Sequence, residues 1–172
     1  HTMYFIPEGK LENSDDKQSG AKYEDWAKQG ILTVLPGLDN DLTKVADWFY
    51  QLYKDYDIRT VVCGYDQRFA REFKDRMEEY GIECEMVLQN AETLNNAMRL
   101  CEQELKARHV NYNENELDRW CLGNASMKID NFGRVLCIKI NNQATRRIDG
   151  AVTLIILYEI YRRYRGQLTQ NN

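Results

Sequence analysis

The sequence predicts an α/β domain whose sheet mixes parallel and antiparallel strands, and three observations carry the prediction. The β-prone run from Thr60 to Tyr65, a helical pattern after it, and a second β-prone run from Ile82 to Leu88 form a strand–helix–strand unit, which implies a parallel pair. The runs Ser126–Ile129 and Arg134–Lys139 flank Asp130-Asn131-Phe132-Gly133 and read as an antiparallel hairpin. With 172 residues, 43% of them hydrophobic, the chain can bury the core of one ordinary domain.

Taken in order, His1-Thr2-Met3 reads as a cloning scar outside the fold, and Tyr4–Ile6 as the end of a strand stopped by Pro7. Residues 8–22 are polar, contain Gly9 and Gly20, and are expected to form a mobile loop. Tyr23–Gly30 reads as a short helix with Trp26 on its apolar side, and Ile31–Leu35 as a strand ended by Pro36-Gly37. Asp41 or Thr43 can cap the next helix, in which Leu42, Val45, Ala46, Phe49, Leu52 and Tyr53 recur at helical spacing. The strand Thr60–Tyr65 is a continuous apolar run of the kind covered on both faces. A helix over Gln67–Glu79 carries Phe69, Phe73 and Met77 and ends at Gly81. A further helix spans about Leu94–Ala107, and the last begins at Asp149 and runs to about Arg165. Its first three turns are apolar almost all round, so its start is expected to be buried and its arginine-rich end exposed.

Composition narrows the function. The chain carries 23 basic and 27 acidic residues, a net charge of -4, so its surface is not that of a general nucleic-acid binder. Contact with nucleic acid must be local. Arg68, Arg71, Lys74 and Arg76 form one candidate patch, and Arg146, Arg147, Arg162, Arg163 and Arg165 another; solvated helix faces are the competing reading. Five cysteines, odd in number and without CxxC spacing, read as free thiols of a reducing compartment. No run approaches the ~18 apolar residues of a membrane helix and no signal peptide is visible, so a cytoplasmic protein without membrane contact is expected.

Two aspartates stand where carboxylates serve metals. Asp66 closes the strand Arg59–Tyr65, and Asp149 opens the last helix within Arg146-Arg147-Ile148-Asp149-Gly150. Magnesium and manganese take oxygen ligands, held best on rigid element ends. A helix N-cap explains either residue equally well on local grounds. Asp130 fits ordinary turn chemistry, and nothing around His109 suggests a ligand or a base.

The series YFIPEGKL, YEDWAKQGILTVLPG, VVCGYDQRFAREFKDRMEEYGIE, NAMRLCEQELKARHVNYNENELDRWCLGNASMKIDNFGRVLCIK and RRIDGAVTLI resembles, in order and spacing, the C-terminal nuclease domain of tailed-phage terminase large subunits. The resemblance covers nearly all of residues 4–160. It implies a ribonuclease-H-like mixed sheet flanked by helices, and a two-metal endonuclease that uses Mg2+ or Mn2+ to cut concatemeric double-stranded viral DNA for packaging. By position Asp66 and Asp149 match the family's catalytic, metal-binding acids. Lys139 matches a recurrent lysine near the site, and Asn124 a recurrent asparagine before the hairpin. Arg146 and Arg147, adjoining Asp149, are expected to contact DNA phosphate.

The family also carries an acid on a first, central strand, expected upstream of Tyr4. Without it the chain is expected to hold one ion weakly or none, to be an impaired nuclease, and to self-associate through open sheet edges. Implied partners are the terminase small subunit and the portal protein, in the cytoplasm of a bacterial host of a phage or prophage. A resolvase- or integrase-type enzyme of the same fold, or a non-catalytic module docking on a portal or partner, are the alternative functions.

Overall fold

A computed structural model describes residues 1–67 and 71–168. The elements are β1 (Tyr4–Pro7), α1 (Ser14–Gln18), α2 (Tyr23–Lys28), β2 (Leu32–Leu35), α3 (Leu42–Tyr56), β3 (Val62–Tyr65) and α4 (Arg71–Glu79). They continue with β4 (Glu83–Met86), α5 (Ala91–Lys106), α6 (Glu116–Gly123), β5 (Ala125–Ile129), β6 (Val135–Lys139) and α7 (Asp149–Leu168). Phe69 and Arg68, named above in the fourth helix and its basic patch, lie outside the described residues.

The helix starts follow from side-chain caps, because the first N–H groups of a helix have no partner within it. Asp41 accepts from the Thr43 amide at 3.0 Å, Asn90 from the Thr93 amide at 2.8 Å, and Asn115 from the amides of Leu117 and Asp118. Asn13 does the same for α1 through the Asp16 amide at 3.0 Å. That helix corrects the expected loop over residues 8–22, where Glu8–Lys10 also forms a turn of 3-10 helix. Local capping outweighs the polar composition that suggested mobility.

The strands form three separate two-stranded ladders among the described residues. β1 pairs with β2 and β3 with β4, both parallel, and β5 pairs with β6 antiparallel. The strand–helix–strand unit and the hairpin thus stand as expected, while the single mixed sheet does not. Hydrophobic pattern fixes which residues become strands; which edges meet depends on contacts far apart in sequence. Each ladder leaves its outer N–H and C=O groups without a neighbouring strand.

Helices join the ladders into layers. β3 is covered on one side by α3 and α4, where Cys63 packs with Ala46, Phe73 and Met77. Its other side meets α7: Val62 packs on the cluster of Ile155, Ile156 and Ile160, which α5 completes with Leu94, Ala97, Met98 and Cys101. Both faces are covered, yet Val61 just before the strand is 46% exposed because the edge is open. A third cluster gathers Tyr23, Trp26, Leu32, Leu117 and Cys121 from α2, β2 and α6. The arginine-rich end of α7 is not a bare solvated surface. Glu159, 2% exposed, accepts from Arg162 and Arg163, and Arg163 also pairs with Glu85 on β4.

α3 and α4 are clamped by Asp47, which accepts from the Tyr80 hydroxyl at 2.6 Å and from Arg76 at 3.0 Å. The Tyr80 hydrogen bond, followed by those from Arg76 and Lys44, holds the Asp47 carboxyl below the usual aspartate range despite some desolvation. A depressed carboxyl contributes stability above its unfolded pKa and loses it as pH falls through the folded value. Asp47→Asn is therefore expected to lower stability at neutral pH and to flatten the acid side of the stability-versus-pH curve, the two proteins converging as pH falls through the folded pKa, measured by urea unfolding across that range.

Candidate active site

β3 and α7 run antiparallel. A Cβ placed on Gly64 would lie 2.5 Å from Ile160 and 2.8 Å from Ile156, while further along the helix Arg163 reaches Glu85 and Tyr164 reaches Glu83 on β4. The C-terminal end of the strand therefore points toward the N-terminal end of the helix. Asp66 stands two residues past Gly64, about 7 Å of strand, and Asp149 seven residues before Ile156, about 10 Å of helix. Both carboxylates thus lie at one end of the β3–α7 layer. Asp66 is partly exposed and lines a cleft of about 260 Å³ with Gln67, Leu88 and Gln89. Asp149 is exposed at the first position of α7.

The backbone leading into Asp149 is held by a circuit of buried and half-buried polar groups. Arg147 donates through Nε to Asp16 at 2.7 Å, and Tyr23 donates its hydroxyl to the other Asp16 oxygen at 3.0 Å. Asp16 is 1% exposed, so its charge is matched inside the protein and not by water. The hydrogen bond that Arg147 donates to the Asp16 carboxylate stabilises its cation, raising its pKa. Asn124, 3% exposed, donates to the Arg147 carbonyl at 3.0 Å and accepts from Arg146 at 3.3 Å. Arg146 also donates to the Ser19 carbonyl at 3.2 Å and to Gln143 at 2.9 Å.

Helix α6 contributes a second support. Tyr4 donates to Asp118 at 2.5 Å, and its phenol sits so close to Gly150 that any Cβ there would collide with it. Burial, with Cys121 and Asp118 nearby, pushes the Tyr4 pKa up and keeps it a neutral donor. Only glycine fits beside Asp149.

The expected DNA-contacting residues are thus engaged within the protein. Lys139 donates to the Ala144 carbonyl at 2.6 Å and ties down the loop after β6. Arg146 and Arg147 each spend donors on the circuit, although Nη2 of Arg146 and both terminal nitrogens of Arg147 take no partner among the described residues. In the other basic patch, Arg71, Lys74 and Arg76 pair with Asp75, Glu78 and with Asp47 and Glu79. Asp130 is a turn residue: it accepts from the amides of Phe132 and Arg134 and from the Arg134 side chain. Desolvation pushes its carboxyl up, and the Arg134 guanidinium with those amides outweighs this, leaving it below the ordinary range. His109 is exposed and meets Glu104.

Asp16, Tyr23, Asp118 and the helix α6 were not singled out from the sequence. The signal for the first was present: Asn13 followed by Ser-Asp-Asp is a helix start, an N-cap residue ahead of acids in the first turn. Its long-range pairing with Arg147 leaves no local trace.

The donors present suit a hard divalent cation, since Asp66 and Asp149 offer carboxylate oxygens, and magnesium is commonly held by one or two carboxylates with water and substrate phosphate filling the rest. Among the described residues no group of three or more His, Cys, Asp or Glu is placed to hold a metal on its own.

Comparison with known proteins gives the class of domain to which this α/β layer belongs. Residues 1–163 match the family described as the terminase large subunit, endonuclease domain, and the chain belongs to that family. Its fold is similar to that of the HK97 bacteriophage large terminase, with a TM-score of 0.75 and 22% identity over 91% of this chain and 32% of that one. It is also 21% identical over 146 residues to Protein YmfN of Escherichia coli (strain K12), covering 85% of this chain and 32% of YmfN. The chain thus spans about a third of the length of these relatives. Among the described residues no helix is long and apolar enough to cross a membrane.

Proposed function

We propose that this chain is the DNA-cutting domain of a phage or prophage terminase large subunit, hydrolysing double-stranded DNA with little sequence preference during packaging, in the cytoplasm of the host. The terminase small subunit and the portal protein are the partners this reading brings with it. What supports it, beyond family membership, is the antiparallel packing of β3 on α7, which sets Asp66 and Asp149 at the same end.

Asp66 and Asp149 would hold Mg2+ or Mn2+. When bound, such ions lower the pKa of the attacking water and neutralise charge on the phosphate in the transition state. The remaining tasks fall to the chain. Asp149 sits on the first turn of a long helix, so its position is as rigid as the helix it starts. Arg147 and Asn124 fix the backbone before it, and Lys139 braces the neighbouring loop while keeping a cation near the phosphate path. With two carboxylates the chain alone is expected to hold an ion weakly and to cut slowly.

The test is nicking of supercoiled plasmid in Mn2+ by the full-length subunit and by this chain, each beside its Asp149→Ala and Asp66→Ala variants. Loss of at least a hundredfold in rate in both variants is expected, a typical scale for removing charge stabilisation from a hydrolytic site. Equal cutting by the variants would point to a contaminating nuclease and end this assignment.

A further inference from the structure

An open cleft of about 420 Å³ lies between the end of α1 and the loop that leads to α7, lined by Gln18, Ser19, Gln143, Ala144, Thr145 and Arg146. Its lining contains one cation and no acid, in a chain whose acids outnumber its bases. Lys139 reinforces the sign of the charge, because its ammonium lies on the carbonyl of Ala144 in the cleft wall. Arg146 is pre-oriented by Gln143, Ser19 and Asn124, and its Nη2 takes no partner among the described residues. A guanidinium fixed in this way loses little freedom when it meets an anion. Glutamine, threonine and serine complete a set of neutral groups of the kind that contact nucleic-acid backbone without reading bases. The cleft ends at Arg146, three residues before Asp149.

We infer that this cleft is a subsite for a backbone phosphate of duplex DNA, with Arg146 as its anchor and Gln18 and Thr145 as flanking contacts, so that α1 is part of the substrate track. The inference rests on the nuclease reading for its choice of ligand. It adds residues from the N-terminal segment to the DNA path, and it accounts for an acid-free opening that carries a cation on an acidic protein.

Binding of a short fluorescent duplex, followed by anisotropy without divalent metal, tests this. Gln18→Lys adds a cation at the cleft and is expected to tighten binding about threefold and to steepen the salt dependence by about one released counterion. Gln103→Lys places the same charge on the exposed side of α5 and is expected to leave affinity unchanged. Gln18→Glu and Thr145→Glu are expected to weaken binding about tenfold, with unchanged thermal melting. Equal affinities for the two lysine variants, or wild-type affinity in both glutamate variants, would overturn the subsite and leave the nuclease reading standing. Duplex bound in the cleft but never cut by the full-length subunit would instead keep the subsite and remove that reading. Absence of any duplex binding by the wild type would overturn both.

Discussion

Arg147→Ala is expected to cost the protein more stability than Asp16→Ala, although each removes one half of the same ion pair. The arginine side chain is 35% exposed and the aspartate 2%, so the partner left behind fares differently in the two variants. Without Asp16, Arg147 turns outward and recovers water. Without Arg147, a carboxylate remains in a nearly dry site with the Tyr23 hydroxyl and no counter-charge. Stranding a buried charge costs about 3–5 kcal/mol, which for a domain of this size lowers the melting temperature by roughly 10 °C. Loss of the aspartate is expected to cost about half as much. The double variant Asp16→Leu/Arg147→Met is expected to melt above Arg147→Ala, because both charges leave together. Equal melting temperatures for the two single variants would show that water reaches Asp16 and that the pair is not buried in solution. The same variants separate stability from positioning: at temperatures where Asp16→Ala is folded, its Mn2+-dependent nicking is expected to fall more than tenfold, since the backbone before Asp149 loses its anchor.

Gly64→Val is the second large effect. The added Cβ alone falls 2.5 Å from Ile160 Cγ1 and 2.8 Å from Ile156 Cγ2, distances that packed atoms do not adopt. Those isoleucines are buried between β3 and α5 and have little room to turn away. Overpacking of this kind costs about 1–3 kcal/mol, and the relief is a movement of strand from helix. Because Asp66 rides on one and Asp149 on the other, activity is expected to fall further than stability. Gly64→Ala combined with Ile160→Ala is expected to recover part of both, because it removes the Cγ1 that the added Cβ meets first and leaves only the Ile156 Cγ2 contact to relax. Thermal melting and plasmid nicking on the three proteins decide it; recovery of stability without recovery of cutting would detach this contact from the site.

Local chemistry was the part of this protein legible in the sequence. Asp41 capping α3, the turn at Asp130 and the apolar stretch of α7 depend on residues within a few positions of one another, and the parallel unit from Val62 to Met86 on a single strand–helix–strand step. The order of motifs also identified the family. What failed was anything that joins distant segments. The single sheet became three ladders because strand pattern carries no record of the neighbouring edge. The arginine-rich end of α7 is exposed as expected, but the buried Glu159 that two of its arginines cover escaped notice, because an arginine cluster looks the same whether water or a carboxylate receives it. The partners that hold Arg146 and Arg147 in place, Ser19 and Asp16, lie in a segment whose polarity suggested a loop.

The pairing of Asp16 with Arg147 also sets a schedule for folding. The two residues are 131 positions apart, and at typical synthesis rates a ribosome needs on the order of ten seconds to travel between them. During that interval the future buried carboxylate stays hydrated, and α1, only five residues long, has too few turns to persist without its partner. The N-terminal segment can dock only when the leader of α7 has emerged. The end of the domain that carries Asp149 is therefore among the last parts to take shape.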